Sequence, residues 1–162
     1  VNTAVMKAVS DGNMSSLNVP ESIELTERLI DLHSYADMAC YTRSGGEAAS
    51  LAIRIGRATS GKDKVAFCGY HGWHDWYLAS NLANEHNLDE QLLPGLNPLG
   101  VPKCLSGTAI PFRYNHLDDL TDITNQHADI GVIIMEPCRS EEPAEGFLEG
   151  VRLLADKIGA VF

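Results

Sequence analysis

The sequence predicts an α/β fold, three layers deep, with a mostly parallel sheet between helices. Two observations carry the prediction. From Ser44 onward, segments with the apolar spacing of helices alternate with short apolar runs, the order produced when helices cross over a parallel sheet. The run Ile130-Gly131-Val132-Ile133-Ile134-Met135 is apolar throughout, the pattern of a strand covered on both faces.

The elements follow in order. Val1 to Leu17 is weakly patterned, with one short helix around Ala4 to Val9. Asn18-Val19-Pro20-Glu21 has the form of a capping box with proline in the first turn, and Leu25, Leu29, Leu32 and Ala36 recur at helical spacing. This predicts a helix from Glu21 to Tyr35, with an extended entry over Ala39 to Thr42. Ser44-Gly45-Gly46-Glu47 then opens a second helix whose buried stripe reads Leu51, Ala52 and Ile55, with Arg54 and Arg57 outside. Gly61 stands where a helix-ending glycine belongs. Lys64 to Cys68 reads as a buried strand, Gly69 to Gly72 as a turn, and Trp73 to Ser80 as one or two helical turns. No period organises Asn84 to Gly107, and its Pro and Gly residues make it a long loop, a kind that is usually functional or disordered. Thr108 to Phe112 is a strand, Leu117 to Gln126 a helix, and Ile130 to Met135 a strand stopped by Glu136-Pro137. Phe147, Val151, Leu154 and Ile158 mark the last helix, and Ala160-Val161-Phe162 begins another strand.

Composition narrows the classes. Of 162 residues 44% are hydrophobic, enough for a real core. The net charge of -10, with acids spread along the chain, argues against a nucleic-acid surface, which needs a basic stripe. No apolar run approaches membrane-spanning length and no signal peptide opens the chain. Cys40, Cys68, Cys104 and Cys138 lie far apart without a CxxC pair, so free thiols in a reducing cytoplasm are expected. The absent initiator Met and the short final apolar run predict that both ends are cuts.

Three stretches sit at turns or strand ends, where ligands of parallel sheets bind. Ser44-Gly45-Gly46-Glu47 is accounted for as a helix cap by Ser44 and Glu47. The glycine pair adds a second reading, bare amides at a positive helix end seating an anion. Tyr70-His71-Gly72-Trp73-His74-Asp75 admits a loop packed on the sheet, an aromatic platform for a planar ligand at Tyr70, or a metal site at His71, His74 and Asp75. No HExxH or Cys/His cluster supports the metal. Glu136 is either a solvated carboxylate beside Pro137 or an acid facing the same crevice. Arg139, Glu141 and Glu142 follow in a polar loop.

These stretches, with Ala48, Gly61-Lys62-Asp63-Lys64 and Gly146-Phe147-Leu148-Glu149-Gly150, occur in an order that resembles the class-III aminotransferases dependent on pyridoxal 5′-phosphate, and most of all their glutamate-1-semialdehyde aminomutase-like branch. The resemblance covers nearly the whole chain, but only the first part of the family's large domain. It implies the fold-type-I transferase architecture, with residues 1–35 an N-terminal helical segment and 36–162 a partial cofactor-binding domain. It implies that Gly45 and Gly46 hold the cofactor phosphate in a turn shaped by Ser44, that Tyr70 stacks on the pyridine ring beside His71, that Glu136 lies near the cofactor, and that Glu141 lies on the substrate side. Where Gly46 stands the family usually has Thr or Ser, so a hydroxyl contact is lost.

The same resemblance puts the ring-nitrogen Asp and the Schiff-base lysine beyond Phe162. None of Lys7, Lys62, Lys64, Lys103 and Lys157 stands in a matching context, so no catalytic residue is expected in this chain. The implied parent reaction moves an amino group between small-molecule donors and acceptors of the amino acid, semialdehyde or amino-sugar type, in a cytoplasmic homodimer or self-associating chain. The alternatives are a non-catalytic fold with at most weak cofactor or phosphate binding, and an unrelated phosphosugar or nucleotide binder using Ser44 to Gly46 alone.

Overall fold

The computed structural model describes residues 1–12, 19–138 and 140–162. Asn18 of the expected capping box and Arg139 of the polar loop lie outside the described residues. The chain forms two compact units, Val1–Tyr41 and Thr42–Phe162.

The first unit holds α1 (Asn2–Asp11) and α2 (Pro20–Leu32). Pro20 takes the first helical position of α2, where its missing N–H costs nothing. The helix stops short of the expected Tyr35, because His33 leaves the helical backbone at φ -120° and ψ 81° while its N–H still bonds the Leu29 and Ile30 carbonyls at 3.0 and 3.2 Å. Ala39 to Thr42 form no strand. The Tyr41 hydroxyl instead shares a 2.8 Å hydrogen bond with Thr26 Oγ1 of α2.

The second unit runs α3 (Gly45–Ser60), β1 (Lys64–Cys68), α4 (Asp75–Leu78), α5 (Ser80–Ala83), β2 (Ala109–Pro111), α6 (Leu117–Gln126), β3 (Ile130–Met135) and α7 (Phe147–Ile158). Its sheet is parallel in the order β2-β1-β3, and Val161 pairs with Val132 on the far side of β3. Side chains alternate across it. Val65, Phe67 and Val132 pack with Ala49, Ile53, Trp76, Tyr77 and Leu88 on one face. Ala66, Cys68 and Ile133 pack with Leu120 of α6 and Phe147, Val151 and Ala155 of α7 on the other. Three layers result, as the sequence predicts.

The buried stripe of α3 differs from the expected one. Ala49, Ile53 and Gly56 face the sheet, whereas Ile55 is exposed and Arg57 is half-buried. The reason is close approach: a Cβ on Gly56 would come within 2.7 Å of Val132 Cγ2, so the helix lies on the sheet by its smallest residues. The chain leaves α3 through Gly61, left-handed at φ 67°, and enters the central strand at once. The N-terminus of α3 therefore lies at the carboxyl end of the strands.

Candidate functional site

The start of α3 is built from local hydrogen bonds. Ser44 is the N-cap, and its Oγ accepts from the Glu47 N–H at 3.3 Å. The Glu47 carboxylate reaches one residue further back than in a simple capping box and accepts from the Arg43 N–H at 2.7 Å. The Gly45 and Gly46 N–H groups take no acceptor among the described residues. At Gly45 an added Cβ would meet nothing within 4 Å. At Gly46 the space is taken: a Cβ would stand 2.9 Å from both Cε1 and Nδ1 of His74. The glycine pair thus divides its work, with Gly45 open and Gly46 the bed of an imidazole.

The loop after β1 meets this helix end. Gly72 has φ 99°, a conformation that disfavours a side chain, and its own Cβ would lie 2.9 Å from Gly46 Cα. That contact brings the Ser44–Gly46 turn and the Tyr70–Asp75 loop together. His74 stacks on Trp73 with ring centroids 4.8 Å apart, and its Nδ1 is buried without a hydrogen-bond partner among the described residues. His71 is buried, with Nε2 3.0 Å from the Cys68 carbonyl and its ring edge-on to Phe67 and Tyr77. Tyr70 is half-buried and meets Tyr77 edge-to-face at 5.8 Å.

Glu136 follows β3 and folds over the end of β1. Its Oε2 accepts from the Tyr70 N–H at 3.4 Å. Gly69, at φ 99°, has no room for a Cβ because the Glu136 carboxylate would lie 2.6 Å away. A cavity of about 180 Å³ opens here, walled by Gly69, Gln91, Leu92, Tyr114, Glu136 and Glu141. Glu141 is held by the Asn115 carboxamide, which donates to Oε1 at 3.1 Å. Tyr114 donates to the Pro137 carbonyl at 2.7 Å, and burial raises its pKa. Cys68 sits at the floor, where burial and then the Glu136 charge push its thiol up to about 12, so it is neutral at physiological pH. The four cysteines are free thiols. The cavity wall does not include Ser44–Gly46 or Tyr70. Of the expected site residues, Glu136 and Glu141 share the cavity, Glu136 touches Tyr70, and Gly46 touches the loop two residues beyond Tyr70.

Two lysines in this unit have structural work at the other end of the sheet. Lys62 Nζ donates to the Ile158 carbonyl at 2.9 Å, capping α7, and Lys64 pairs with Asp129 at 3.0 Å. Among the described residues no three His, Cys, Asp or Glu side chains converge as a metal site would require. Two participants have roles that no local pattern in the sequence marks. The sequence offers His74 as part of a loop packed on the sheet or as a possible metal ligand, and neither reading contains its packing against Gly46, which joins positions far apart in sequence. Gln91 lies in a stretch with no period, so no local signal marks it, yet its buried side chain bonds the ends of two strands.

No protein-family model matches the chain. Among curated proteins, a 3-aminobutyryl-CoA aminotransferase of Cloacimonas acidaminovorans is 31% identical over 97% of this chain and 36% of its own length. A glutamate-1-semialdehyde 2,1-aminomutase of Lawsonia intracellularis is 32% identical over 99% of this chain and 38% of its own length. Among solved structures, an omega-transaminase from Sphaerobacter thermophilus superposes with a TM-score of 0.81 at 23% identity, over 98% of this chain and 38% of that one. A glutamate-1-semialdehyde aminomutase from Pseudomonas aeruginosa gives 0.71 at 24% identity, over 98% and 35%. These structures share the fold described above. The chain spans little more than a third of the length of the proteins it matches.

Proposed function

We infer that this chain, a homologue of class-III aminotransferases and glutamate-1-semialdehyde aminomutases along nearly its whole length, is the phosphate-and-ring face of a pyridoxal 5′-phosphate site in an amino-group transferase. The contact of Gly46 with Gly72 carries the reading, because it joins an amide end suited to an anion to the loop that bears Tyr70. A solved transaminase described as having pyridoxal phosphate bound, with a TM-score of 0.82 at 22% identity, supports the fold-level part.

The residues fit the cofactor. The Gly45 and Gly46 N–H groups are unengaged at the positive end of a sixteen-residue helix, and Gly45 leaves the approach clear. Ser44 holds the cap with Glu47 N–H, which leaves the two preceding donors for phosphate oxygens. Tyr70 offers a ring braced by Tyr77, and stacking contributes about 1 kcal/mol. His71 fixes the turn from inside through the Cys68 carbonyl. Glu136 anchors the Tyr70 N–H, and Glu141 stands across the cavity on the substrate side. Bound pyridoxal phosphate supplies an electron-withdrawing ring that stabilises negative charge developing at the amine-bearing carbon. The substrates on this reading are small amines and carbonyl compounds of the amino acid, semialdehyde or amino-sugar type, and the parent enzyme is cytoplasmic and self-associating.

Titration of the chain with pyridoxal phosphate, followed by visible circular dichroism, tests this. Binding without a covalent anchor should fall at roughly micromolar to millimolar affinity. Inorganic phosphate should compete, pyridoxal lacking the phosphate should bind more weakly, and Lys62→Ala should change nothing. Equal affinity for pyridoxal and its phosphate would remove the α3 end from the site. A nucleotide that competes better than phosphate would favour a phosphosugar or nucleotide binder. A stoichiometric lysine adduct after borohydride would overturn the assignment of structural roles to these lysines.

A further inference from the structure

At its carboxyl end the central strand is prised from its neighbours by side chains. The β1–β2 ladder is regular up to that point: the Val65 N–H donates to the Thr108 carbonyl at 2.9 Å, and the Phe112 N–H donates to the Phe67 carbonyl at 2.9 Å. Parallel ladders are evenly spaced, so the next bond in the series would run from the Gly69 N–H to the Phe112 carbonyl. It does not form. The Gln91 carboxamide stands between the two groups, with Oε1 accepting from the Gly69 N–H at 2.7 Å and Nε2 donating to the Phe112 carbonyl at 3.3 Å. One side-chain amide thus takes both partners of a missing backbone bond and leaves neither buried group unpaired.

The β1–β3 ladder ends in a similar way. The Glu136 N–H donates to the Cys68 carbonyl at 3.1 Å, and the Tyr70 N–H, which would next meet the Glu136 carbonyl, bonds the Glu136 side chain instead. The cavity beside Glu136 opens where these ladders part.

The loop around Gln91 is held to deliver it. Leu88 is fully buried, and its N–H donates to Asn81 Oδ1 at 3.0 Å. The Asp89 carboxylate accepts from the Gly95 N–H at 3.1 Å. Leu92, next to Gln91, has φ 142°, a backbone conformation that costs a residue with a side chain energy and persists only where surroundings enforce it.

We propose that Gln91 is a positioning residue, a wedge whose carboxamide replaces the last β1–β2 ladder bond and so sets the Gly69–Tyr70 turn that presents the Tyr70 ring. The long loop is then part of the frame of the binding site rather than a connector. The effect on ligand rests on the cofactor reading above; the wedge itself does not.

Hydrogen exchange of the whole chain without cofactor tests the wedge. In Gln91→Ala the Gly69 and Tyr70 amides should exchange about tenfold faster than in the parent at the same pH, the scale of one lost hydrogen bond, while Ala66 and Phe67 keep their protection. Gln91→Glu supplies the rescue. A protonated carboxyl both accepts and donates like the carboxamide. An ionised one cannot donate, and the Phe112 carbonyl with Glu90, Glu136 and Glu141 around the cavity repels it. The nearby cations Arg113 and His86 are already paired with Asp119 and Asp89, so the charged side chain is driven from the wedge position and the Gly69 N–H loses its acceptor. Protection of Gly69 in Gln91→Glu should match the parent at pH 5 and fall below it at pH 8. Unchanged Gly69 exchange in Gln91→Ala, equal loss throughout β1, or a Gln91→Glu profile parallel to the parent's would overturn the wedge; if Gln91→Ala does not fold, the Gln91→Glu profile decides. Pyridoxal phosphate titration of the same proteins should show about tenfold weaker binding wherever Gly69 protection is lost. Altered exchange with no cofactor signal even in the parent chain would leave the wedge standing and remove the cofactor reading.

Discussion

Gly46 shows how one missing side chain organises two motifs. Its empty Cβ position is the seat of the His74 ring, so Gly46→Ala forces an imidazole stacked on Trp73 to move. We expect Gly46→Ala to destabilise the chain by about 1–2 kcal/mol in urea unfolding, the usual scale of overpacking. In a His74→Ala background the same change should cost nothing, because alanine is the better helix former once the ring is gone. Additive costs in this double-mutant cycle would show that the two side chains do not compete. In the sequence, Ser44 and Glu47 were legible because capping is a local rule. The reason for the second glycine was not, because it lies in a contact with a residue nearly thirty positions away.

Element boundaries were legible where apolar runs and turn residues agree. β1, α6, β3 and α7 begin and end where the sequence places them, bounded by Gly61, Glu136-Pro137 and Gly159. The face of α3 was not, because Ile53 and Ile55 are equally apolar in the sequence, and the close approach to the sheet at Ala49 and Gly56 decides that Ile53 is the one buried. The junction of β2 and α6 carries a pH signature of its own. Arg113 Nε and Nη2 donate to the two carboxylate oxygens of Asp119 at 2.7 and 2.8 Å, and this pairing lowers the Asp119 pKa. A carboxylate with a depressed folded pKa adds stability that is complete above its unfolded pKa and is lost as pH falls through the folded one. Asp119→Asn should therefore melt below the parent at neutral pH, and the gap should close in acid, below about pH 4. Melting temperatures that stay equally far apart from pH 7 to pH 3 would contradict this.

At the scale of the molecule, charge and apolar surface oppose each other. Neither α1 nor α2 has a buried residue, and Val5, Met6, Val9, Ile23 and Leu32 are exposed. Such side chains favour association, while a net charge of -10 resists it. We expect sedimentation to show reversible self-association that strengthens with salt, as screening weakens the repulsion. A monomer that persists across concentration and salt would count against it. The layer order was legible because the alternation of helix and strand signals is a property of the whole chain. The wedge at Gln91 was not, because it exists only once β1 and β2 lie side by side.

The sheet's connectivity also bears on how the chain comes into being. Its middle strand is made first, and both flanking strands come later: Val65 waits for Ala109 on one side and Val132 on the other, and Val132 in turn waits for Val161. Every rung joins residues remote in sequence, so none can form while the chain between them is still being synthesised. The nascent β1, with apolar residues on both faces and both edges bare, is the segment most in need of a chaperone until Ala109 has left the ribosome.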